Sequence, residues 1–286
     1  MPERKIDWKQ IDEARASLYA PRVSICHQEA QEVKLVSYDF NDAKRFPDKP
    51  ASIEISHLTD LQYGAKGFDE KRFIKYRDWI LSVKNRFVVL GGDVIDAATV
   101  LSIASPYENT EEPIDQADGA VELLKPLADE GRLLGYVGGN HERRTVKSFG
   151  DAGRIIARGL KVPYSRGVQL IDIHFGQHKP FRLSLWHGSG SARTKGAKAQ
   201  MLHRFMGQAD SQVYLVGHLH DVVVLFDWRQ VRRDGKIRLE KIAGAMSSSF
   251  LQYWNSYAET YAMSPSDTMM ARVIIERNGK WELTLR

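Results

Sequence analysis

The chain has 286 residues, 43% hydrophobic and 27% charged, with 41 Lys and Arg against 36 Asp and Glu, a formal net charge of +5. That length suits one large domain or two small ones around a sizeable core, and the composition excludes a disordered or membrane-embedded chain. No run approaches the roughly 18 apolar residues that span a bilayer, the opening MPERKIDWKQIDEAR has no apolar signal-peptide core, and the lone Cys26 excludes an internal disulfide or a thiolate metal site, so a cytoplasmic chain with no membrane partner is expected.

Residues 1–50 read as a polar N-terminal extension, with a short helix over 6–18 and a loop at Phe46-Pro47-Asp48-Lys49-Pro50. The domain proper is expected over 51–286. It starts with a strand over 51–57, a helix over 69–83 and the β-branched run Arg86-Phe87-Val88-Val89-Leu90, which stops at Gly91-Gly92. Apolar residues at helical spacing over 114–128 lead to a strand over 133–137 that again stops at paired glycines, Gly138-Gly139. Further strands are expected over 168–174, 181–186, 213–216, 222–228 and 237–242, with a loop and then a basic helix inside 189–207 and a closing hairpin at Asn278-Gly279. Helices alternating with strands early, and denser strands later, predict a mixed α/β domain.

Five clusters place a carboxylate, amide or imidazole just beyond an apolar strand: Asp60-Leu61-Gln62, Gly92-Asp93 with Asp96, Gly139-Asn140-His141-Glu142, His187-Gly188, and Gly217-His218-Leu219-His220. Side chains at strand ends converge in the crevice where open α/β sheets bind ligands, and the adjoining glycines let backbone turn sharply and approach closely. Singly, each cluster is an ordinary turn or core histidine. Together, in this order, they are far harder to dismiss.

Read as DLQ, GDVID, GNHE, WHG and GHLH, the five blocks resemble the calcineurin-like metallophosphoesterases, whose pattern is D-x-H, G-D-x-x-D, G-N-H-D/E, a lone H and G-H-x-H; the resemblance spans residues 52 to about 222. It implies a four-layer α/β/β/α sandwich with two mixed sheets. It also implies a metal-activated hydroxide hydrolysing a phosphomonoester or phosphodiester, on a nucleotide or nucleic acid among other substrates. One metal would be held by Asp60, Gln62 and His220 and a second by Asn140, His187 and His218, with Asp93 bridging and His141 supplying the leaving-group proton. Manganese is the expected ion, with iron, zinc, nickel or magnesium as alternatives. The family usually has His where this chain has Gln62, which weakens that ligand, shifts preference toward Mn or Mg and leaves direct ligation by Gln62 open. A Gln there is shared with the manganese-dependent ADP-ribose/CDP-alcohol diphosphatase branch, whose motif is similar to Asp60-Leu61-Gln62-Tyr63.

Around this set, Asp96 is expected to fix a ligand or loop, and Glu142 either to orient His141 or to pair with Arg143 or Arg144. Those two arginines either reach a substrate phosphate or begin a helix. Arg193, Lys195 and Lys198 are candidates for contacting an anionic substrate, while His57, His174, His178 and His203 are expected to be structural or superficial. Phe250, Tyr253, Trp254 and Tyr257 are expected to pack in the core. Two other functions fit the same motifs: a manganese-dependent DNA nuclease of the break-repair type, and a metal-dependent binding protein that has lost activity.

Overall fold

A computed structural model describes residues 35–42, 49–99, 102, 107, 109–148, 150–176, 179–233, 235–254, 257–260, 262, 265 and 267–286. The helix expected over 6–18, Cys26 and His178 lie outside these residues. One six-stranded sheet runs, in spatial order, β12 (Trp281–Leu285), β11 (Ala271–Glu276), β2 (Ser52–Leu58), β3 (Arg86–Leu90), β4 (Leu133–Val137) and β5 (Tyr164–Ser165). A second runs β1 (Leu35–Asp39), β6 (Gln169–His174), β7 (Phe181–Trp186), β8 (Val213–Val216), β10 (Lys236–Met246) and β9 (Val223–Arg233). Both sheets are mixed: β2 to β5 are parallel, as are β7, β8 and β10, while β11 and β9 run against their neighbours.

Side-chain alternation explains how one apolar run serves two cores. In β3, Val88 and Leu90 face the helices while Phe87 and Val89 face the opposite sheet, so a strand buried on both faces reads as continuously hydrophobic. Helix α1 (Glu70–Leu81) starts where the Asp69 carboxylate accepts the Arg72 N–H, and it buries Phe73 and Ile80. Helix α2 (Pro113–Asp129) opens on proline, whose missing N–H costs nothing there, and buries Ala117, Ala120, Leu124 and Leu127 at a spacing of three and four. With α4 (Ala152–Leu160) these pack on the first sheet. Helix α5 (Lys195–Met206), capped by Thr194, packs Leu202, Phe205 and Met206 on Tyr214 and Val216 of the second sheet. The third core lies between the sheets. Helix, sheet, sheet and helix therefore stack as the four-layer α/β/β/α sandwich expected.

The lead-in before residue 50 contributes a strand that the sequence reading did not anticipate. Val36 and Tyr38 of β1 are buried, and the strand pairs in parallel with β6; with Phe40 just beyond, they form a short alternation of core and polar residues that was the available signal. β9 and β10 each run 11 residues, longer than expected, and form a ribbon beyond the four-residue β8. No helix among the described residues is long and apolar enough to cross a membrane.

Candidate metal centre

Every cluster singled out in the sequence begins within four residues of a strand's C-terminal end, and β2, β3, β4, β7 and β8 point those ends the same way. Loop-to-loop bonds stitch the two sheets together there: His187 Nδ1 donates to Gly91 O at 2.8 Å, and the His218 N–H donates to Asp60 Oδ2 at 2.9 Å. The backbone is strained where the chemistry would sit. Asp60, Gln62, Asp93, His218 and His220 have φ of 51, 51, 49, 72 and 47°, a left-handed conformation that non-glycine residues keep only when surrounding structure over-determines it. Two glycines permit the approach. Gly92 turns at φ +93°, and a Cβ on Gly139 would lie 1.9 Å from Asp93 Oδ1.

Two groups of side chains gather at the strand ends, the second of them including Asp93. In the first, His220 Nε2 lies 3.1 Å from Asp60 Oδ1, and Gln62 Nε2 lies 3.2 Å from the same ring nitrogen. In the second, His187 Nε2 lies 3.1 Å from both Asn140 Oδ1 and Asp93 Oδ2, with the His218 ring packed edge-on at 5.1 Å. Asp93, His187 and His218 offer ligand atoms all within 4.8 Å of one another. Asp60 and Gln62 are fully buried; Asp60 Oδ1 faces the His220 ring, whereas Gln62 Oε1 makes no hydrogen bond among the described residues. A buried acceptor without a donor costs stability, and a divalent cation would satisfy it. The donor set therefore fits a metal that accepts oxygen and imidazole ligands.

Electrostatics point the same way. Burial alone would push the His187 imidazole down, but the adjacent Asp93 carboxylate, with Asp60 and Glu142 beyond it, holds it up at about 9. Burial would likewise raise Asp93, and the His141 and His187 imidazoles beside it pull its carboxyl well below the usual range. A proton on His187 thus occupies, in the metal-free protein, the position a cation would take. His57, at the end of β2, is a different case: burial drives it down to about 3, so it stays neutral, with Nδ1 2.9 Å from Ser247 Oγ. It packs beneath the loops rather than facing the cleft.

His141 sits beside this centre, Nε2 3.5 Å from Asp93 Oδ2 and Nδ1 3.2 Å from Asp96 Oδ1. Burial opposes its protonation, but Asp93 and Asp96 outweigh that and raise its pKa. Asn109, absent from the sequence reading, holds Asp96 with a 2.5 Å bond to Oδ2. Glu142 neither orients His141 nor pairs with an arginine, contrary to both expectations. Its carboxylate accepts the N–H groups of Asp93, Val94 and Gly139 and the Tyr136 hydroxyl at 2.7–3.1 Å, so it braces the loop that carries Asp93. The Arg144 guanidinium lies over His141 at 3.1 Å and lines the cleft, whereas Arg143 is exposed and donates to Gly139 O.

The cleft above the centre encloses about 270 Å³, walled by Gly190 to Arg193 on one side and by Leu251, Tyr253, Ala258 and Ala262 on the other. The basic trio divides here. Lys195 and Lys198 both pair with Asp221, the residue following His220, whereas Arg193, exposed and in the cleft wall, lies outside that pairing. Asp221 went unread in the sequence, although an acid directly after a G-H-x-H block facing two lysines three apart was the available signal. Of the tail aromatics, Phe250 packs in the core as expected, whereas Tyr253 lines the cleft and Trp254 is 71% exposed, both against expectation; the Tyr257 side chain lies outside those described. His203 is exposed and pairs with Asp227, and His174 ends β6, remote from the clusters in sequence and sheet position.

No family model matches the chain, and no curated protein matches it. Solved structures with detectable likeness include the NAD nucleotidase of Haemophilus influenzae, at 12% identity and TM-score 0.38 over 82% of this chain and 49% of that one. Others are the calcineurin-like phosphoesterase YfkN from Bacillus subtilis, at 11% and 0.41 over 82% and 90%, and a Vps29 double mutant from Entamoeba histolytica, at 12% and 0.34 over 82% and 99%. The chain thus spans about half the length of the nucleotidase. Likeness this distant decides nothing about function, which rests on the site's own residues.

Proposed function

We propose that the chain is a metal-dependent phosphoesterase of the calcineurin-like type, hydrolysing a small phosphomonoester or phosphodiester with two divalent cations, manganese first. The observation that carries this reading is the pair of donor groups at the strand ends, Asp60, Gln62 and His220 in one and Asn140, His187 and His218 with the buried Asp93 in the other. Cations held there would clamp phosphate oxygens and lower the pKa of a bound water. Asp93 can offer one oxygen to each group. His187 donates Nδ1–H to Gly91 O, which fixes the ring and turns Nε2 toward the centre.

The leaving oxygen needs a proton, and His141, in the cleft lining, is the residue placed to supply it. Burial and the Arg144 guanidinium oppose its charged form, while Asp93 and Asp96 favour it and raise its pKa on balance. Arg144 and Arg193 supply positive charge along the cleft for an anionic substrate. Lys198, also in the wall, is already spent on Asp221. A cleft of about 270 Å³ with two arginines and an apolar wall supports a small organic ester over duplex DNA, which needs an extended basic track.

The test is hydrolysis of an aryl phosphodiester and an aryl phosphomonoester by purified protein with Mn²⁺, Fe²⁺, Ni²⁺, Zn²⁺ or Mg²⁺, beside degradation of single- and double-stranded DNA. Metal-dependent turnover of the small esters, reduced roughly 10²–10⁴-fold by His141→Ala with Mn²⁺ affinity kept, is the expected result. Turnover of DNA alone would favour the nuclease, and inactivity with all five metals would favour a binding protein.

A further inference from the structure

The loop over 217–222 carries two strained imidazoles, His218 at φ 72° and His220 at φ 47°. Its ends are tied by the His218 N–H to Asp60 Oδ2 at 2.9 Å and by Ser248 Oγ to His220 O at 3.4 Å. The middle is held from α5. Lys198 Nζ donates to Asp221 Oδ2 at 2.7 Å and to Leu219 O at 3.3 Å, and Leu219 lies between the two imidazoles. Asp221 Oδ1 in turn accepts the Val222 N–H at 2.8 Å. Both charges are nearly out of water, Lys198 at 6% and Asp221 at 2% exposure.

A buried ion pair gains little stability over apolar packing, so its presence points to a geometric task. Lysine gives up solvent readily only where its donors are met. Here they are met by the one carbonyl between the two histidines and by the first side chain after them. A strained φ needs such over-determination to persist. Although Lys198 lines the cleft, its ammonium is engaged by these acceptors and faces the loop.

We propose that Lys198 and Asp221 form a buried clamp that holds the 217–222 loop in the conformation presenting His218 and His220 to the metals, as positioning residues that touch neither substrate nor metal. This rests on the reading that those two histidines hold metal. Lys195, which also reaches Asp221 but is 66% exposed at its side chain, contributes little, as expected of a surface pair.

The experiment compares Lys198→Met, Lys198→Arg, Asp221→Asn, the Lys198→Met/Asp221→Asn double variant and Lys195→Ala. Mn²⁺ affinity is read by calorimetry, and amide hydrogen exchange over 217–222 is read in metal-free protein. Lys198→Met and Asp221→Asn are expected to weaken Mn²⁺ binding about 10–100-fold and to speed loop exchange, with kcat recovering at saturating Mn²⁺. The double variant should be no worse than the poorer single one, because the two side chains act as a unit, while Lys198→Arg and Lys195→Ala stay within a few-fold of wild type. Folded Asp221→Asn or double variant with wild-type affinity and wild-type loop exchange overturns the clamp. So does a rise in KM alone for Lys198→Met, which would make Lys198 a substrate contact. If wild-type protein binds no Mn²⁺, the metalloenzyme reading fails instead, and loop exchange alone decides the clamp.

Discussion

Replacing Glu142 with Gln keeps the shape of a fully buried side chain and removes half of its capacity to accept. The carboxylate takes four donors: Val94 N–H and the Tyr136 hydroxyl on Oε1, at 2.7 and 2.8 Å, and Asp93 N–H and Gly139 N–H on Oε2, at 3.1 and 2.9 Å. An amide oxygen can serve one of these pairs, but its NH₂ then faces the other two donors. Two buried donors without an acceptor cost roughly 1–3 kcal/mol each, so Glu142→Gln is expected to lose about 2–6 kcal/mol. Tyr136→Phe, which deletes one donor and orphans nothing, should lose only about 1 kcal/mol. Urea unfolding followed by circular dichroism on metal-free protein measures both. A loss below about 1 kcal/mol for Glu142→Gln would show that the carboxylate does not brace the Asp93 loop.

Gly139→Ala would place a methyl 1.9 Å from Asp93 Oδ1, and calorimetry should show Mn²⁺ affinity reduced by at least about tenfold through displaced ligand geometry; unchanged affinity would mean the loop relaxes freely. His187, raised from 6.5 to about 9, adds stability to metal-free protein that is fully present below pH 6.5 and lost as pH rises through 9. Metal binding near pH 7.5 must therefore release that proton, which titrations in buffers of different ionisation enthalpy count; no release contradicts the assignment of His187 as a ligand. His57, lowered from 6.5 to about 3, contributes stability that is present above pH 6.5 and lost as pH falls toward 3, on the order of 5 kcal/mol in full. Urea melts of His57→Asn between pH 7 and 4 should show a flatter acid limb than wild type, and parallel limbs would place that titration elsewhere.

Much of the central architecture was legible because β3 and β4 are bounded by paired glycines and carry uninterrupted apolar runs. Periodicity of three and four located α2 within a residue at each end. β1 escaped because only Val36 and Tyr38 of its five residues are buried, with Phe40 just beyond, and so short an alternation inside a charged lead-in looks like loop. The short helix α3 (Asn140–Arg144) was hidden inside the GNHE block, whose residues read as ligands before they read as a helical turn. Side-chain partners were the least legible part. Glu142 lies beside His141 in sequence but turns the other way, toward backbone brought in by β3, and Lys198 meets Asp221 across the second sheet's loops. Sequence spacing fixes which residues share a strand end, whereas the direction a side chain takes from there depends on neighbours many residues away.

Crystals grown with Mn²⁺ and measured at the manganese absorption edge test the central claim most directly. The account predicts two anomalous peaks per chain flanking the Asp93 carboxylate, one against Asp60, Gln62 and His220 and the other against Asn140, His187 and His218. A cleft without anomalous density at saturating Mn²⁺, or ions bound away from Asp93, would contradict it.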